Sequence, residues 1–394
     1  MLILIFARYS ASQASTRARF IQYLPALRSA GFNAEVFSVF DDKAIAGRST
    51  GLMSLLSRLR SFGRVTRRLM QERHRESHVH IYIELLPWLP FFVERMLLLI
   101  AGRRRYSVEL DDAWFHRYDN HRSAFIRMVL GRKIDRLMQR STLVIAGNDY
   151  IAQHARAVGA RSVKVIPTVV DVERYRPEST GFRFGCEIAP LPAGSQMSTG
   201  VAPQDKLPVI GWIGSPATTS LLLHIGEVIE RMHRAGLASF VAIGADESKL
   251  AALPVRCIPW TEDSEVAALH RLDIGIMPLT DTLFERGKSG YKIIQYMACG
   301  LPVVASPVGV NRLIVAPGQT GFLASTDEEW FEYLSKLCAD RALRLRLGKT
   351  GLARAESCYS LHVVAPKVVS TFKELLGKPG SHLDAEVHGR PVSF

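Results

Sequence analysis

Cysteine is scarce and scattered. Cys186, Cys257, Cys299, Cys338 and Cys358 are odd in number, lie far apart and contain no CxxC pair. That pattern offers neither a disulfide framework nor a Cys/His metal site, and it reads as reduced thiols of a cytoplasmic protein. Long apolar runs are missing as well. The best candidate, 85–101, has two prolines near its start and Glu94 and Arg95 in its middle. Charges there are costly in hydrocarbon, so a buried or surface helix is expected rather than a membrane span. Residues 1–6 are too short for a signal peptide and lack its basic start, and they read as a first strand. Acidic residues nearly vanish between Arg48 and Arg75, where eight arginines (48, 58, 60, 64, 67, 68, 73 and 75) face Glu72 alone.

That arginine-rich stretch accounts for part of the net charge of +13 and favours anionic partners. Leu52, Leu55, Leu56, Leu59, Phe62 and Val65 recur every three or four positions, as on one face of a helix. Two readings stay open: a helix packed on its own domain with a wet basic face, or a helix docked on an anionic membrane at the inner face. No RNA- or DNA-binding motif accompanies the charge, so nucleic acid is not expected as a partner.

With 394 residues, 47% of them hydrophobic, the chain exceeds the usual size of one core, and two domains are expected. Apolar runs at 2–6, 34–39, 80–83, 107–109, 143–146 and 163–166 alternate with helical patterns such as 17–29, 124–139 and 149–157. This is the signature of a parallel α/β sheet. The pattern dissolves over 178–206, which reads as a linker or insertion. It restarts at 209–213 and continues through 239–243, 255–258, 274–277 and 302–305. The expected division is therefore 1–177, then 207–357, a C-terminal helix at 358–376 packing back on the first domain, and a tail at 377–394. Two doubly wound units leave a cleft at their carboxyl strand ends, where open parallel sheets bind ligands.

Residues 273–309 read strand, loop, helix, turn, strand. Arg286, Gly287, Lys288, Ser289 and Gly290 stand just ahead of the helix, where free N–H groups and the helix dipole favour an anion. The glycines allow close backbone approach, and Arg286 and Lys288 add charge for a diphosphate. Lys292 and Gln295 share one helix face. A second strand, 209–213, ends in Gly214-Ser215-Pro216, with Thr218 and Thr219 as candidate helix caps. Gly214 and Ser215 supply donors there, or merely make a strand-to-helix turn. In the first half, Ser15, Thr16, Arg17 and Arg19 bring hydroxyls and cations to a helix start after strand one, for phosphate or acceptor. Asp111 and Asp112 follow the strand at 107–109, either as carboxylates at the cleft or as a helix cap.

The run Gln295-Tyr296-Met297-Ala298-Cys299-Gly300-Leu301-Pro302-Val303-Val304-Ala305 resembles the donor-binding signature of the large retaining family of GT-B glycosyltransferases, the "group 1" or family 4-like enzymes. Residues 165–171 (VIPTVVD) with Tyr175-Arg176-Pro177, and Gly318-Gln319-Thr320-Gly321-Phe322-Leu323, are similar to further family motifs in the same order. The resemblance covers roughly 1–376. It implies a GT-B fold, two Rossmann-like domains facing a central cleft, and a nucleotide-diphosphate sugar as donor. It also implies transfer to a glycan, lipid-linked or polysaccharide acceptor with retention of configuration, and no metal or other cofactor. Gln295 stands where the family has the glutamate that holds the ribose, and Gly287 where it has an earlier glutamate. Glu285 or main-chain groups are left to substitute, and Glu285 joins Asp111 and Asp112 as a catalytic candidate. The loop after 209–213 lacks the family's Arg and Lys, a role left to Arg286, Lys288 and Lys292. With both glutamates absent, a sugar-nucleotide epimerase or a non-catalytic nucleotide-sugar binder are the alternatives to a transferase.

Overall fold

The computed structural model describes residues 2–40, 52–177 and 207–377, with the backbone alone over 52–56. The first domain carries six strands: β1 (Leu2–Ala7), β2 (Asn33–Ser38), β3 (Ser77–Tyr82), β4 (Tyr106–Leu110), β5 (Leu143–Ala146) and β6 (Val163–Val165). They form one parallel sheet in the order β2-β1-β3-β4-β5-β6. Helices cover both faces, which is why Ile3 to Ala7 of β1 are all buried and why the strands read as continuous apolar runs. The second domain repeats the plan with β7 (Val209–Ile213), β8 (Ser239–Ile243), β9 (Val255–Ile258), β10 (Ile274–Met277), β11 (Val303–Ala305) and β12 (Gly321–Leu323). Its order is β12-β11-β10-β7-β8-β9, all parallel. The α/β expectation of two doubly wound units holds.

The chain crosses between the units at one place. Val170 and Ser360 pair in parallel, with Val170 N–H donating to Tyr359 O and Leu361 N–H to Val170 O. Val172 and Tyr175 already pack into the second core, ahead of residue 177. The helix Leu361–Leu376 returns to the first core through Val364, Ala365, Val368 and Phe372. Residues 178–206 and 378–394, expected as linker and tail, lie outside the described residues.

Some local expectations need correction. The single helix expected over 17–29 is three pieces: Ala14–Arg19, a 3-10 turn Ile21–Tyr23, and Leu24–Ser29 with its proline in the first turn. The helix expected over 124–139 breaks at Gly131 into Ala124–Leu130 and Lys133–Arg140. Thr218 and Thr219 do not cap a helix start. Both lie inside a 3-10 helix, Pro216–Ile225, and Thr219 Oγ1 accepts from Asp246 N–H. Among the described residues no helix is long and apolar enough to cross a membrane.

The arginine-bearing helix, Leu52–Gln71, packs on its own domain over the described side chains. Val65 and Leu69 are fully buried, Arg64 donates to Ser38 O, and Arg68 pairs with Glu72 (2.6 Å) and with Glu35. Val65 and Leu69 thus face inward, whereas Leu59, Arg58, Arg60 and Arg67 are exposed; the side chains of Leu52, Leu55 and Leu56 lie outside the described residues.

Candidate active site

The carboxyl ends of both sheets face a shared cleft of about 560 Å³. Tyr9, Gln13, Ser15 and Asp112 line it from the first domain; Gly214, Ser215, Trp260, Glu265, Lys288, Ser289, Gly290, Tyr291, Lys292 and Gln295 line it from the second. The topology explains the position. In the second sheet β7 and β10 are neighbours from which the chain winds to opposite sides, and the crevice at such a switch point is the ligand site of doubly wound sheets. The loops after β7 and β10 are those that carry Gly214–Ser215 and lead to 288–290.

Gly290 adopts φ 67° ahead of the helix Tyr291–Ala298, a left-handed conformation that favours glycine, and no side chain caps that helix. The Tyr291 and Lys292 N–H groups are thus left without an intrahelical partner at the cleft, while Ile293 N–H donates to Gly290 O. Lys292 projects from this turn with its ammonium 4.2 Å from the Trp212 ring centroid. Burial first, and then the neighbouring Lys288 charge, lower its pKa to about 7, with Asp112 acting in the opposite direction. A cation held this way lacks an anion. Gly214 makes room for it, since a Cβ there would stand 2.2 Å from the Trp212 ring and 2.9 Å from Lys292 Nζ. Gly214→Ala is expected to push both aside, weaken nucleoside-diphosphate binding by about tenfold or more, measured by calorimetry, and lower the melting temperature, since overpacking beside a buried ring costs about 1–3 kcal/mol.

At the other end of the cleft a buried polar cluster forms the floor. Gln295 Nε2 donates to Tyr175 Oη (3.1 Å), and Tyr175 in turn donates to Glu265 Oε1. Trp260 Nε1 donates to Glu265 Oε2 at 2.7 Å. Arg17 reaches across from the first domain, 3.3 Å from Glu262 and 3.6 Å from Glu265, with its guanidinium 5.2 Å from the Trp260 ring centroid. Trp260 and Glu265 were not among the expected site residues. The usable signal was their position just after β9, at a carboxyl strand end.

Several expected residues turn out to serve other purposes. Arg286 is exposed and held by Asp281 in a bidentate pair (2.6 and 3.1 Å), outside the cleft. Glu285 folds back on Thr282 in the short helix Leu283–Arg286 and does not line the cleft. Gly287 is a domain contact: its carbonyl accepts from Asn148 Nδ2 at 2.7 Å, and a Cβ would meet Ala113 Cβ at 2.3 Å. Thr16 Oγ1 donates to Tyr9 O, which shapes the loop after β1. Arg19 points into the first domain, bound to Glu109 (2.6 Å), Ile166 O and Thr168. The two aspartates divide. Asp112 lines the cleft, whereas Asp111 is buried and accepts from Tyr82 Oη at 2.6 Å. Burial, then the neighbouring Asp112 charge, push the Asp111 carboxyl up to about 7. Neither caps a helix; His116–Asp119 starts after Phe115 without a side-chain cap. Among the described residues no three His, Cys, Asp or Glu side chains are grouped as metal ligands.

Residues 207–340 match the family model of glycosyl transferases group 1. D-inositol 3-phosphate glycosyltransferase of Corynebacterium jeikeium (strain K411) is 25% identical over 242 residues, 56% of this chain and 53% of its own length. The same-named protein of Corynebacterium glutamicum (strain R) is 28% identical over 128 residues, 32% of this chain and 29% of its own. The chain thus spans about half the length, or less, of these curated relatives. Among solved structures, sucrose-phosphate synthase from Thermosynechococcus elongatus matches with a TM-score of 0.68 at 14% identity, over 95% of this chain and 99% of that one. Anabaena HepE in complex with UDP and glucose matches with a TM-score of 0.64 at 15% identity, over 95% and 100%. These likenesses carry the fold across the chain, and the family model carries the second domain. The chain has the GT-B fold, and residues 207–340 of its second domain match the group 1 glycosyl transferases.

Proposed function

We propose that the protein transfers a sugar from a nucleoside-diphosphate sugar to a glycan or lipid-linked acceptor, with retention of configuration. The observation that supports this best is the pairing of an uncapped helix start with Lys288 and Lys292 at the cleft, opposite Asp112 of the other domain. Two cations and free N–H groups can hold the diphosphate and stabilise the charge that develops on it as the glycosidic bond breaks. Tyr175, Gln295 and Glu265 form the polar floor for the nucleoside end. Gln295 occupies the place of the usual ribose glutamate, and Glu265 supplies a carboxylate beside it. Asp112 is the first-domain carboxylate placed to orient an acceptor hydroxyl, while Ser15, Gln13 and Tyr9 border the same side. HepE, whose structure contains UDP and glucose, is a neighbour consistent with such a donor.

The test is donor turnover by the purified protein with UDP- and GDP-sugars, with the product anomer read by NMR. Asp112→Asn is expected to lower turnover about 100-fold while leaving UDP affinity within about threefold, as loss of a positioned carboxylate does. Activity is expected to survive EDTA, because protein cations serve the diphosphate in this reading. Binding of a nucleotide sugar without hydrolysis or transfer would point to a non-catalytic binder. Release of an epimerised sugar nucleotide would point to an epimerase.

A further inference from the structure

Among the described residues, the first domain leaves a group of large apolar side chains uncovered on two helices. On the helix Phe91–Ile100, Phe92, Met96, Leu99 and Ile100 follow the i, i+4, i+7, i+8 spacing of one face, while Val93, Leu97 and Leu98 turn inward. On Ala124–Leu130, Phe125 and Met128 stand three apart and face out. These six side chains are 39% to 76% exposed, unusual for residues of their size. The segments that flank the two helices meet. The approach to the first, Trp88, packs edge-on against Tyr118 and His121 at 5.4 and 5.9 Å. Glu94 of the first meets Lys133, just past the end of the second, at 3.2 Å. These contacts hold the two helices, with their exposed apolar residues, in neighbouring parts of the same domain.

The charge around that face has one sign. From 91 to 105 the single acidic residue, Glu94, is fully buried; from 120 to 134 there is none. Arg104, Arg105, Arg122, Arg127 and Arg132 are exposed. A face with apolar side chains in its middle and arginines around it matches the boundary between acyl chains and anionic headgroups. A second copy of the chain would bring like charges together, so the charge pattern disfavours self-association.

We infer that this face seats the first domain on an anionic bilayer. Arg117 lies over both Trp88, ahead of the first helix, and Trp114, two residues from the cleft-lining Asp112, 5.6 and 5.3 Å from their ring centroids. If the chain is the transferase proposed above, an acceptor with a lipid anchor is the class this placement serves. The docking itself rests on the surface alone.

Sedimentation with vesicles of phosphatidylglycerol and phosphatidylcholine in equal parts tests it without any enzymatic readout. The protein is expected to pellet at low salt, to be released as salt rises, and to ignore pure phosphatidylcholine. The triple variant F92S/F125S/M128S is expected to lower the bound fraction about tenfold while keeping its melting temperature, because these side chains are solvent-exposed. R58Q/R60Q/R67Q is expected to bind like the wild type. Wild-type protein left in the supernatant at low salt overturns the inference, as does a triple variant that pellets undiminished. A dimer in solution that the triple variant dissociates, with vesicles ignored, would reassign the face to self-association. Loss of transferase activity with vesicle binding intact would count against the functional reading and not against the docking face.

Discussion

Replacing Lys292 with methionine is expected to weaken UDP binding by about 10- to 100-fold at about pH 6.5, the scale of a charge-assisted hydrogen bond. The same substitution should remove a pH dependence. In the free protein the Lys292 ammonium titrates at about 7, with burial as the main cause and Lys288 adding to it. A diphosphate placed against it favours the charged form, so its pKa rises on binding and binding takes up a proton above neutrality. Affinity of the wild type is therefore full below about pH 7 and falls as pH climbs, by at most tenfold per unit, until the bound-state pKa is passed. The methionine variant should show a flat profile. Stability moves with the opposite sense. The folded pKa lies below that of the unfolded chain, so between about 7 and the ordinary lysine value the unfolded state holds more protons. The ligand-free wild type gains stability as pH rises through that window, and Lys292→Met should melt higher than wild type near neutrality. Calorimetry across this pH range decides the matter; equal affinities and equal slopes would remove Lys292 from the phosphate site. Lys288→Ala should also weaken binding, while Arg286→Ala, exposed and already paired with Asp281, should change it less than about threefold.

The double doubly wound architecture was legible because strands buried on both faces read as apolar runs, and because helices between them keep their own period. The placement of Lys288, Ser289 and Lys292 at the cleft was legible for a similar reason: they belong to a strand–loop–helix unit whose geometry is local. What escaped detection depended on direction and on distant partners. Thr16 and Arg19 lie three apart on one helix face and both turn inward, whereas Ser15 beside them faces the cleft. Arg286 had a carboxylate five residues earlier in the chain, and only the fold shows that Asp281 takes it. Glu265 follows Thr261 and Ser264 in a polar turn that reads as a helix start, and nothing local shows its carboxylate meeting Tyr175 from 90 residues away. Exposed Phe92 and Met96 escaped for a related reason: in a run such as 91–100, core and surface apolar residues look alike until their neighbours are placed.

The largest loss of stability is expected from Lys133→Met, at the base of the first domain's side of the cleft. Tyr82, Ile83 and Glu84 form a tight turn after β3, with Glu84 N–H donating to Tyr82 O and Ile83 at φ 70°, a conformation a β-branched residue rarely takes. Buried charges hold that turn. Glu84 accepts from Arg8 Nη1 at 2.8 Å, Lys133 Nζ at 2.6 Å and Tyr118 Oη at 3.0 Å. Lys133 also donates to Leu86 O and stands 3.2 Å from Glu94. Burial acts to raise the Glu84 carboxyl, but Lys133 and Arg8 outweigh it and hold it below the ordinary carboxylate range. Methionine has nearly the right volume and none of the charge, so it leaves Glu84 and Glu94 buried against each other with Arg8 as the remaining cation on Glu84. Breaking a buried pair from one side costs about 3–5 kcal/mol. For a domain of this size that corresponds to a melting point lower by roughly 10 °C. The sign with pH follows from the depressed Glu84 pKa: the wild-type pairing is fully present above the unfolded carboxyl value and is lost as acid protonates Glu84 in the folded state. The gap between wild type and Lys133→Met should therefore be widest near neutrality and narrow in acid. Adding Glu94→Gln to the variant should recover part of the loss, since Arg8 still compensates Glu84 and the buried carboxylate left without its cation is then gone. A Lys133→Met protein that melts within about 2 °C of wild type at neutral pH would show that the Glu84 turn stands without its buried cation.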